Sequence, residues 1–336
     1  MENKRALITG VTGQDGSYLS EHLIAKGYDV YGVVRRASTI NTERIDHIFD
    51  PLSRDRIKYG NLNAGIDSII YEIKPDIIFN LAAQSHVWVS FKEPVYTAMT
   101  NSVGVVKLLE TIRQAEKTLG KQIRFYQASS SEMFGTSPPP QNEDTPFNPA
   151  SPYGCAKLYS YWLTRTYRNS YNMFASNGIL FNHESPRRGK TFVTKKITRA
   201  AARIANGLQD NLELGNLDAL RDWGHSKDYT RAMLMIMEHT QPDDFVVATG
   251  EYHTVREFVD KVFKYFNLSI DKHLILLDEL KRPNEVPALL GDSSKIRKVL
   301  GWSPEYTFDS LIKEMCEQDH IEAMMEMSFR KTSWIN

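Results

Sequence analysis

The sequence predicts an α/β protein whose first half forms a doubly wound parallel sheet and whose second half adds a smaller C-terminal lobe. Two observations support this fold class. Short apolar runs rich in β-forming residues alternate with amphipathic helical patterns along the first half. The apolar residues within each run are nearly continuous, as expected when helices cover both faces of a parallel sheet. With 336 residues, 41% of them hydrophobic, the chain is long enough to bury a substantial core.

The first half supplies most of the predicted sheet. Strands are expected at residues 5–9, 29–34, 56–59, 76–80 and 123–127. Helices are expected between them, near residues 17–25, 67–72 and 96–116. This order is a series of βαβ units with right-handed crossovers.

A loop separates this series from the next elements. Residues 137–152 are rich in proline, which removes backbone donors and breaks regular structure. A helix is predicted from residue 153 to about residue 171, and a strand at 174–181. Further helices are expected at 191–206, 229–239, 255–266, 293–300 and 308–325, with strands at 211–215, 245–249 and 274–277. We expect strands 174–181 and 245–249 to return to the main sheet.

Charge and cysteine content narrow the function classes. The chain carries 41 basic and 41 acidic residues, so its net charge favours neither nucleic acid nor an anionic membrane. Cys155 and Cys316 are far apart and form neither a disulfide framework nor a zinc motif. The first apolar run is too short for a signal sequence, and no later run could span a bilayer. We expect a cytoplasmic protein that binds no nucleic acid, no membrane and no metal.

Three glycines follow the first predicted strand and precede the first helix. Gly10, Gly13 and Gly16 have the spacing Gly-x-x-Gly-x-x-Gly. Glycines at this point allow a tight turn and a close approach of a pyrophosphate to the N-terminus of the helix. Glycines also simply make turns, but the position of this motif at the start of a βαβ series favours a dinucleotide site of the Rossmann type.

The end of the second predicted strand indicates which dinucleotide binds. NAD sites place a carboxylate there to accept from the ribose 2′-hydroxyl. Here the strand runs into Arg35, Arg36 and Ser38 instead. Guanidinium groups bind phosphate in a bidentate manner, so these residues favour the 2′-phosphate of NADP over a merely solvated basic turn.

A tyrosine and a lysine lie four residues apart at the start of the predicted helix after the loop. Tyr153 and Lys157 therefore share one helix face. A tyrosine that acts as a base near neutral pH needs its pKa lowered by about three units, roughly 4 kcal/mol, and a neighbouring ammonium acts in that direction. The preceding strand ends near Ser130 and Glu132, which supply a hydroxyl and a carboxylate at the carboxyl edge of the sheet.

These motifs, with several longer segments, resemble the GDP-mannose 4,6-dehydratases of the extended short-chain dehydrogenase/reductase class. The resemblance covers essentially the whole chain. The glycine motif and Tyr-x-x-x-Lys are common to the superfamily, whereas Asn-His-Glu-Ser-Pro-Arg-Arg-Gly and Arg-Asp-Trp-Gly-His are far more specific to this family. The matching segments are residues 7–18, 35–38, 41–47, 151–154, 180–189, 221–225, 282–286 and 290–292.

The resemblance implies a lyase that converts GDP-mannose to GDP-4-keto-6-deoxymannose through transient C4 oxidation and internal hydride return by bound NADP. Tyr153 would remove the O4 proton, and Ser130 would hydrogen-bond O4. Glu132 would remove the C5 proton, and water would leave from C6. Lys157 would hold the nicotinamide ribose and bias Tyr153 toward its ionised form.

The resemblance also implies the remaining contacts and the assembly. Residues 1–180 would form the NADP-binding domain and residues 181–336 mainly the nucleotide-sugar lobe. A homodimer or homotetramer is expected, with contacts that include residues 35–44. Cofactor contacts are implied for Gly10, Thr12, Gly13, Gln14, Asp15, Gly16, Arg35, Arg36, Ser38, Asn61, Leu62, Leu81, Ala82, Ala83, Ser85, Tyr96, Lys157, His183 and Arg188. Substrate contacts are implied for Asn182, Val193, Lys196, Gly215, Arg221, Arg282 and Glu285.

The sequence departs from the family pattern at three places. Ser130 stands where the family usually has threonine, which keeps the hydroxyl but loses a methyl group. Asn61 replaces the usual aspartate beside the adenine, and its carbonyl can still accept from the adenine amine. The region before Arg282 is shorter than in the family pattern.

Three alternative functions remain open on sequence grounds. A related epimerase or reductase would share the glycine motif and Tyr-x-x-x-Lys without needing Glu132. A dehydratase of dTDP- or UDP-sugars would be expected to carry an Asp–Glu pair, whereas Ser131 precedes Glu132 here. A non-catalytic module that senses NADP would be expected to lack Tyr153 or Lys157.

Overall fold

The computed structural model describes residues 3–38, 41–49 and 55–332. Within them, seven parallel strands form the main sheet: β1 (Arg5–Thr9), β2 (Asp29–Val34), β3 (Ile57–Tyr59), β4 (Ile77–Asn80), β5 (Arg124–Ser130), β6 (Ala175–Leu180) and β11 (Asp244–Val247). Their order across the sheet is β11-β6-β5-β4-β1-β2-β3. The predicted doubly wound fold is confirmed. The shorter strands outside this sheet are β7 (Asn182–Glu184), β8 (Leu212–Leu214), β9 (Leu220–Arg221), β10 (Trp223–His225), β12 (His253–Thr254), β13 (Leu274–Leu276) and β14 (Ala288–Leu289).

Helices cover both faces of the sheet and build the lobe. The helices of the first half are α1 (Gln14–Ala25), α2 (Ile66–Ile73), α3 (Val87–Lys92), α4 (Pro94–Ala98), α5 (Gly104–Leu119) and α6 (Pro152–Tyr171). Those of the second half are α7 (Val193–Ala205), α8 (Ser226–Glu238), α9 (Val255–Tyr265), α10 (Ile270–His273), α11 (Ser294–Leu300) and α12 (Phe308–Thr332). In the part of the chain that the structure describes, none of the helices combines the length and the apolar character needed to cross a bilayer.

The prediction of one helix at residues 96–116 was wrong. The segment contains α4, a π-helical turn at Met99–Val103 and α5, while α3 precedes it and was missed. Pro94 is the physical reason for the first boundary, because its missing N–H and fixed φ suit the first turn of a new helix. The π turn interrupts the regular hydrogen-bond pattern without ending the helical path.

Three apolar clusters divide the core. One packs α1 and α8 against one face of the sheet, and another packs α2 and α5 against the opposite face. The third joins α7, α9 and α12 in the C-terminal lobe. Because both sheet faces are covered, polar side chains that must meet a ligand are left to the edge where the strands end.

The turn from β1 into α1 depends on glycine at two positions. Gly10 has φ of 74°, in the left-handed region that favours glycine. A Cβ on Gly16 would lie 2.6 Å from Val11 Cα and would also overlap the Gly10 carbonyl oxygen. The helix can therefore pack this closely on the strand only without a side chain at residue 16.

We expect Gly16→Ala to lower the free energy of unfolding by at least about 2 kcal/mol, because the added methyl meets backbone that cannot move cheaply. Gly27→Asn is the matched control. Gly27 has φ of 80° with no atom near its Cβ position, and asparagine tolerates that conformation, so we expect a cost below about 1 kcal/mol. Urea unfolding of both variants measures the difference. Equal stabilities would contradict the packing argument.

Candidate active site

A cavity of about 580 Å³ lies at the carboxyl edge of the sheet, between the sheet and the C-terminal lobe. Its lining comes from the chain that follows β1, β4, β5 and β6, and from the start of α6 and α7. Open α/β sheets bind ligands at this edge.

The structure brings most of the sequence-predicted site residues to this cavity. All of the residues predicted to be catalytic and all of those predicted to bind substrate line it. The predicted cofactor residues that also line it are Gly10, Gly13, Gln14, Asp15, Gly16, Leu81, Ala83, Ser85, Lys157, His183 and Arg188.

The glycine turn forms a backbone cradle that fits a pyrophosphate. A Cβ on Gly10 would lie 2.9 Å from the backbone nitrogen of Ala82, so two chain segments meet here without side chains between them. Gly13 occupies the N-cap of α1 and offers no side chain to its first N–H groups. The donor set at this helix start therefore suits an anionic group. Thr12 lies on the outer side of the turn, where its carbonyl accepts from Arg44.

Other predicted cofactor residues lie outside the cavity lining. Arg35, Arg36 and Ser38 are exposed immediately after β2, the strand beside β1. Arg35 Nη1 donates to the hydroxyl of Tyr96 at 2.6 Å, so two of the residues predicted to bind the cofactor contact each other. The Arg36 guanidinium lies 6.0 Å from the ring centre of Tyr59. These groups form a basic rim at the end of β2.

Two predicted cofactor residues have other roles in this structure. Asn61 Oδ1 accepts from the backbone N–H groups of Asn63 and Ala64, both at 2.8 Å. The oxygen that the sequence assigned to the adenine amine therefore already holds a turn. The Leu62 side chain is buried in the core against Gly104, so only its backbone can reach a ligand.

Both ring nitrogens of His183 lie within hydrogen-bond distance of other residues of the protein. Nε2 lies 2.9 Å from Asp15 Oδ2, and Nδ1 lies 2.7 Å from the carbonyl of Phe181. Burial alone would raise the pKa of Asp15, but His183 and the hydroxyl of Ser226 outweigh it and lower that pKa to about 2. Burial opposes the charged form of His183, yet Asp15 raises its pKa overall. The pair ties β7 to the start of α1.

Tyr153 and Lys157 lie in the first turns of α6. The hydroxyl of Ser151 caps this helix by accepting from Gly154 N–H at 3.0 Å. Lys157 Nζ donates to the Ala128 carbonyl at 2.8 Å and lies 5.8 Å from the Tyr153 ring centre. Burial raises the pKa of Tyr153 to about 12, although a hydrogen bond from Ser130 opposes the shift. Burial lowers the pKa of Lys157 to about 8.

Glu132 follows β5 and faces the same cavity. Its backbone N–H donates to Ser130 Oγ at 3.2 Å, which fixes the turn after the strand. Oε1 lies 3.5 Å from Arg282 Nη1. Oε2 is buried and has no hydrogen-bond partner among the residues that the structure describes. A carboxylate that lines a cavity and has one unpartnered oxygen can accept a proton from a ligand.

The lobe contributes cationic groups to the far side of the cavity. Arg221 is buried and its Nη2 lies 3.2 Å from Glu285 Oε1. Burial lowers the pKa of Arg221 despite nearby carboxylates. Arg282 Nη1 lies 3.8 Å from the same Glu285 oxygen, so one carboxylate holds both guanidinium groups.

The remaining predicted substrate residues surround this cluster. Asn182 Oδ1 is buried without a hydrogen-bond partner in the described part of the chain. Val193 and Lys196 lie in the first turn of α7. A Cβ on Gly215 would lie 2.8 Å from the Leu280 carbonyl oxygen, so the chain before Arg282 passes close to this turn.

Sequence reasoning missed several cavity residues. Arg44 and Arg187 fall within matched family segments, which was the available signal. His86 and Trp223 also line the cavity, and each has a buried ring nitrogen without a partner among the described residues. Trp223 falls within the matched family segment at residues 221–225, whereas no motif or matched segment includes His86.

Comparisons with known proteins identify the family of this chain. A family model described as GDP-mannose 4,6 dehydratase matches residues 7–315. GDP-mannose 4,6 dehydratase 1 of Arabidopsis thaliana is 50% identical over 323 residues, covering 94% of this chain and 90% of the relative. GDP-mannose 4,6-dehydratase of Vibrio cholerae is 49% identical over 350 residues, covering 94% of each.

Solved structures match at the level of the fold. The UDP-glucose 4-epimerase of Thermus thermophilus, in complex with NAD, superposes with a TM-score of 0.80 at 24% identity, covering 94% of this chain and 98% of its own. RMD from Pseudomonas aeruginosa, complexed with NADPH, has a TM-score of 0.75 at 21% identity, covering 95% and 100%. The length of the family match and the identity to its curated members show that this chain belongs to the GDP-mannose 4,6-dehydratase family.

Proposed function

We propose that this enzyme dehydrates GDP-mannose to GDP-4-keto-6-deoxymannose with a bound NADP that is regenerated in each cycle. Family membership supports the substrate and the reaction. The observation that carries the proposal is that Glu132, whose Oε2 has no hydrogen-bond partner among the described residues, lines the same cavity as Tyr153 and Lys157. A related epimerase or reductase would not need that carboxylate.

NADP is the proposed cofactor because the residues present fit it. The glycine cradle and the start of α1 suit the pyrophosphate. Arg35, Arg36 and Ser38 place cationic groups and a hydroxyl at the end of β2, where a 2′-phosphate would bind. When bound, NADP would supply the hydride acceptor for C4 of the sugar and the hydride donor for C6.

Tyr153 and Lys157 are proposed to move the first proton. Tyr153 takes the O4 proton while Ser130 hydrogen-bonds the same oxygen. Burial raises the pKa of Tyr153 to about 12, so the phenol is neutral near pH 7 unless a nearby charge lowers that pKa. A positive charge beside the ring favours the phenolate, and the Lys157 ammonium supplies one.

Glu132 is proposed to serve the elimination. Once C4 is a ketone, the C5 proton is acidified, and Glu132 Oε2 can take it because no described protein donor occupies that oxygen. Water then leaves from C6. Arg282 Nη1, 3.5 Å from Oε1, holds the carboxylate in place.

The nucleotide diphosphate is proposed to bind between the two parts of the chain. Residues 1–180 hold the cofactor, and residues 181–336 mainly hold the nucleotide sugar. Arg221, Arg282 and Lys196 supply local positive charge that a protein of zero net charge otherwise lacks. Asn182, Val193, Gly215 and Glu285 complete the proposed contacts.

A homodimer or homotetramer is also proposed. The support is resemblance together with large apolar side chains that α6 leaves about half exposed, Tyr159 at 51% and Trp162 at 50%. The expected contacts at residues 35–44 include residues 39 and 40, which lie outside the described part of the chain.

The proposed substrate is tested by offering GDP-mannose, UDP-glucose and dTDP-glucose in parallel with a catalytic amount of NADP. We expect only GDP-mannose to lose one water, detected by mass spectrometry, without accumulation of NADPH. Faster turnover of either other sugar nucleotide would contradict the substrate assignment.

Variants of Glu132 and Tyr153 separate the two proton transfers. Glu132→Gln keeps size and hydrogen bonding but cannot take a proton, so turnover should fall at least about a hundredfold, the usual minimum for a general base. Reduced cofactor should build up in a single turnover, seen by near-ultraviolet absorbance. Tyr153→Phe should show no reduced cofactor, because the first proton stays in place. Dehydration by Glu132→Gln at the native rate would make Glu132 a structural residue.

Arg35 is proposed to select NADP over NAD. Arg35→Asp replaces a phosphate ligand with a carboxylate that suits a free 2′-hydroxyl, so the preference should narrow or reverse. Lys117→Asp makes the same charge change at an exposed site on α5 and should leave the preference as it was. Calorimetric titration with NADP and with NAD measures this preference. Equal affinities of the unmodified protein for the two cofactors would contradict the assignment of NADP.

A further inference from the structure

A row of buried polar side chains crosses the sheet where its surroundings are apolar. Thr9 on β1, Asn80 on β4 and Gln127 on β5 occupy paired positions of neighbouring strands. Each is at most 1% exposed. Strands covered on both faces are normally apolar throughout, and a buried polar group is costly unless it is hydrogen-bonded. The row therefore calls for a physical explanation.

The side chains form one continuous series of hydrogen bonds, which we call the polar chain. The backbone N–H of Ala82 donates to Thr9 Oγ1 at 3.2 Å, and the Thr9 hydroxyl donates to Asn80 Oδ1 at 2.6 Å. Asn80 Nδ2 donates to Gln127 Oε1 at 2.8 Å. Gln127 Nε2 donates to the Ala128 carbonyl at 3.1 Å.

The two ends fix the direction of the polar chain. A backbone N–H can only donate, and a carbonyl oxygen can only accept. Gln127 must turn Nε2 toward Ala128, so its Oε1 faces Asn80. Asn80 must then present Nδ2 to Gln127 and Oδ1 to Thr9. Only this assignment of the amide atoms satisfies every link, and all donors point toward the Ala128 carbonyl.

The Ala128 carbonyl can accept from side chains because the ladder of backbone hydrogen bonds between β4 and β5 ends at the preceding residue. Arg124 N–H donates to the Asp76 carbonyl at 3.0 Å, across the gap between β5 and β4. Backbone groups alternate sides along a strand, so Ala128 faces the same gap. In a continued ladder the Ala82 N–H would donate to Ala128, but it bonds the hydroxyl of Thr9 instead.

Two side chains donate to the Ala128 carbonyl, which accepts no hydrogen bond from the Ala82 N–H. Gln127 Nε2 donates to Ala128 O at 3.1 Å, and Lys157 Nζ donates to it at 2.8 Å. A carbonyl oxygen has two lone pairs, so Gln127 takes one position and leaves the other to the ammonium. A donor already present on the oxygen also weakens its attraction for a second donor.

We propose that Gln127, held by Asn80 and Thr9, is a positioning residue that acts on Lys157 through the Ala128 carbonyl. It fixes where the ammonium lies and limits how strongly the carbonyl holds it. The proposal rests on the proposed function only for the role of Lys157 in the reaction. The polar chain also runs from the loop after β4 to α6, so it joins two walls of the cavity.

The charged groups around Lys157 come from several elements. Burial lowers the pKa of Lys157, and Asp15 at the start of α1 opposes that shift. Tyr153 lies on the same helix, and Glu132 and Arg188 face Tyr153 from the turn after β5 and from the loop before α7. Replacing Gln127 alters none of these groups, so a change in the Lys157 pKa reports on the shared carbonyl.

The test compares Gln127→Met with Thr164→Val in the full chain without substrate or cofactor. Thr164 is fully buried on α6, and its hydroxyl donates to Ser160 O at 2.8 Å, so it controls for loss of a buried polar group on the helix that carries Lys157. Acetylation of Lys157 by a small reagent is followed against pH, with mass spectrometry of the peptide that contains it. Only the neutral amine reacts.

We expect Gln127→Met to raise the pH of half-maximal labelling by about 0.5 unit, because the freed carbonyl holds the ammonium more strongly. The limiting rate at high pH should not rise, and Thr164→Val should change neither quantity. An unchanged midpoint would overturn the proposal. So would an equal shift in Thr164→Val, or a rise of both midpoint and limiting rate in Gln127→Met, which would indicate loosened packing and water entry.

A milder pair keeps the test decisive if Gln127→Met does not fold. Thr9→Val keeps the shape of the side chain and removes the hydroxyl, whereas Thr9→Ser keeps the hydroxyl. The proposal predicts that Thr9→Val raises the pH of half-maximal labelling by less than Gln127→Met would, and that Thr9→Ser leaves it unchanged. A rise with Thr9→Ser and none with Thr9→Val would overturn the proposal. Labelling needs no turnover, so failure of the unmodified enzyme to dehydrate GDP-mannose would count against the proposed function alone.

Discussion

Covering both faces of the parallel sheet is the constraint on which the rest of this structure depends. Strands β1, β4, β5 and β6 run side by side between two apolar layers, and ionisable groups along those faces would lose their hydration. Where the strands end, the chain turns outward and polar groups meet a cavity. The glycine cradle follows β1 and Glu132 follows β5, with only β4 between these strands, so the edge of the sheet brings them into one cavity although they are far apart in sequence.

This arrangement also buries Tyr153 and Lys157, the groups that we propose move the first proton. Burial raises the pKa of Tyr153 and lowers that of Lys157, so both shifts favour the neutral forms. The Asp15–His183 pair shows the alternative, in which each partner favours the charged form of the other, so the pKa of Asp15 is lowered and that of His183 is raised. Tyr153 forms no such ion pair among the described residues, and Lys157 Nζ lies 5.8 Å from its ring centre, which leaves its ionisation responsive to what binds beside it.

Local sequence was sufficient for features that depend on neighbouring residues. The glycine turn, the helix that carries Tyr153 and Lys157, and the strands of the first half follow from periodicity and spacing, and the structure has them. The break between α4 and α5 did not follow, because a π turn leaves the apolar pattern almost unchanged. Pro94, which marks the start of α4, was a stronger signal of a helix boundary than the apolar pattern.

Contacts between distant segments could not be predicted from pattern alone. Arg282 and Glu132 are 150 positions apart, and only resemblance placed them in one site. The same limit explains Leu62, whose side chain packs in the core against Gly104. Asn61 is a local case, because its carbonyl is used by its own turn. The polar chain through Asn80 also escapes sequence reasoning, because each member looks like an isolated polar residue within a strand.

The central claim is that one cavity carries out oxidation, elimination and reduction on the same sugar without release of an intermediate. GDP-mannose labelled with deuterium at C4 tests this most directly, with nuclear magnetic resonance and mass spectrometry of the product. We expect the deuterium to appear at C6 of the 4-keto-6-deoxy product, in the same molecule from which it came. Loss of the deuterium to solvent, or its transfer between differently labelled substrate molecules, would contradict the account.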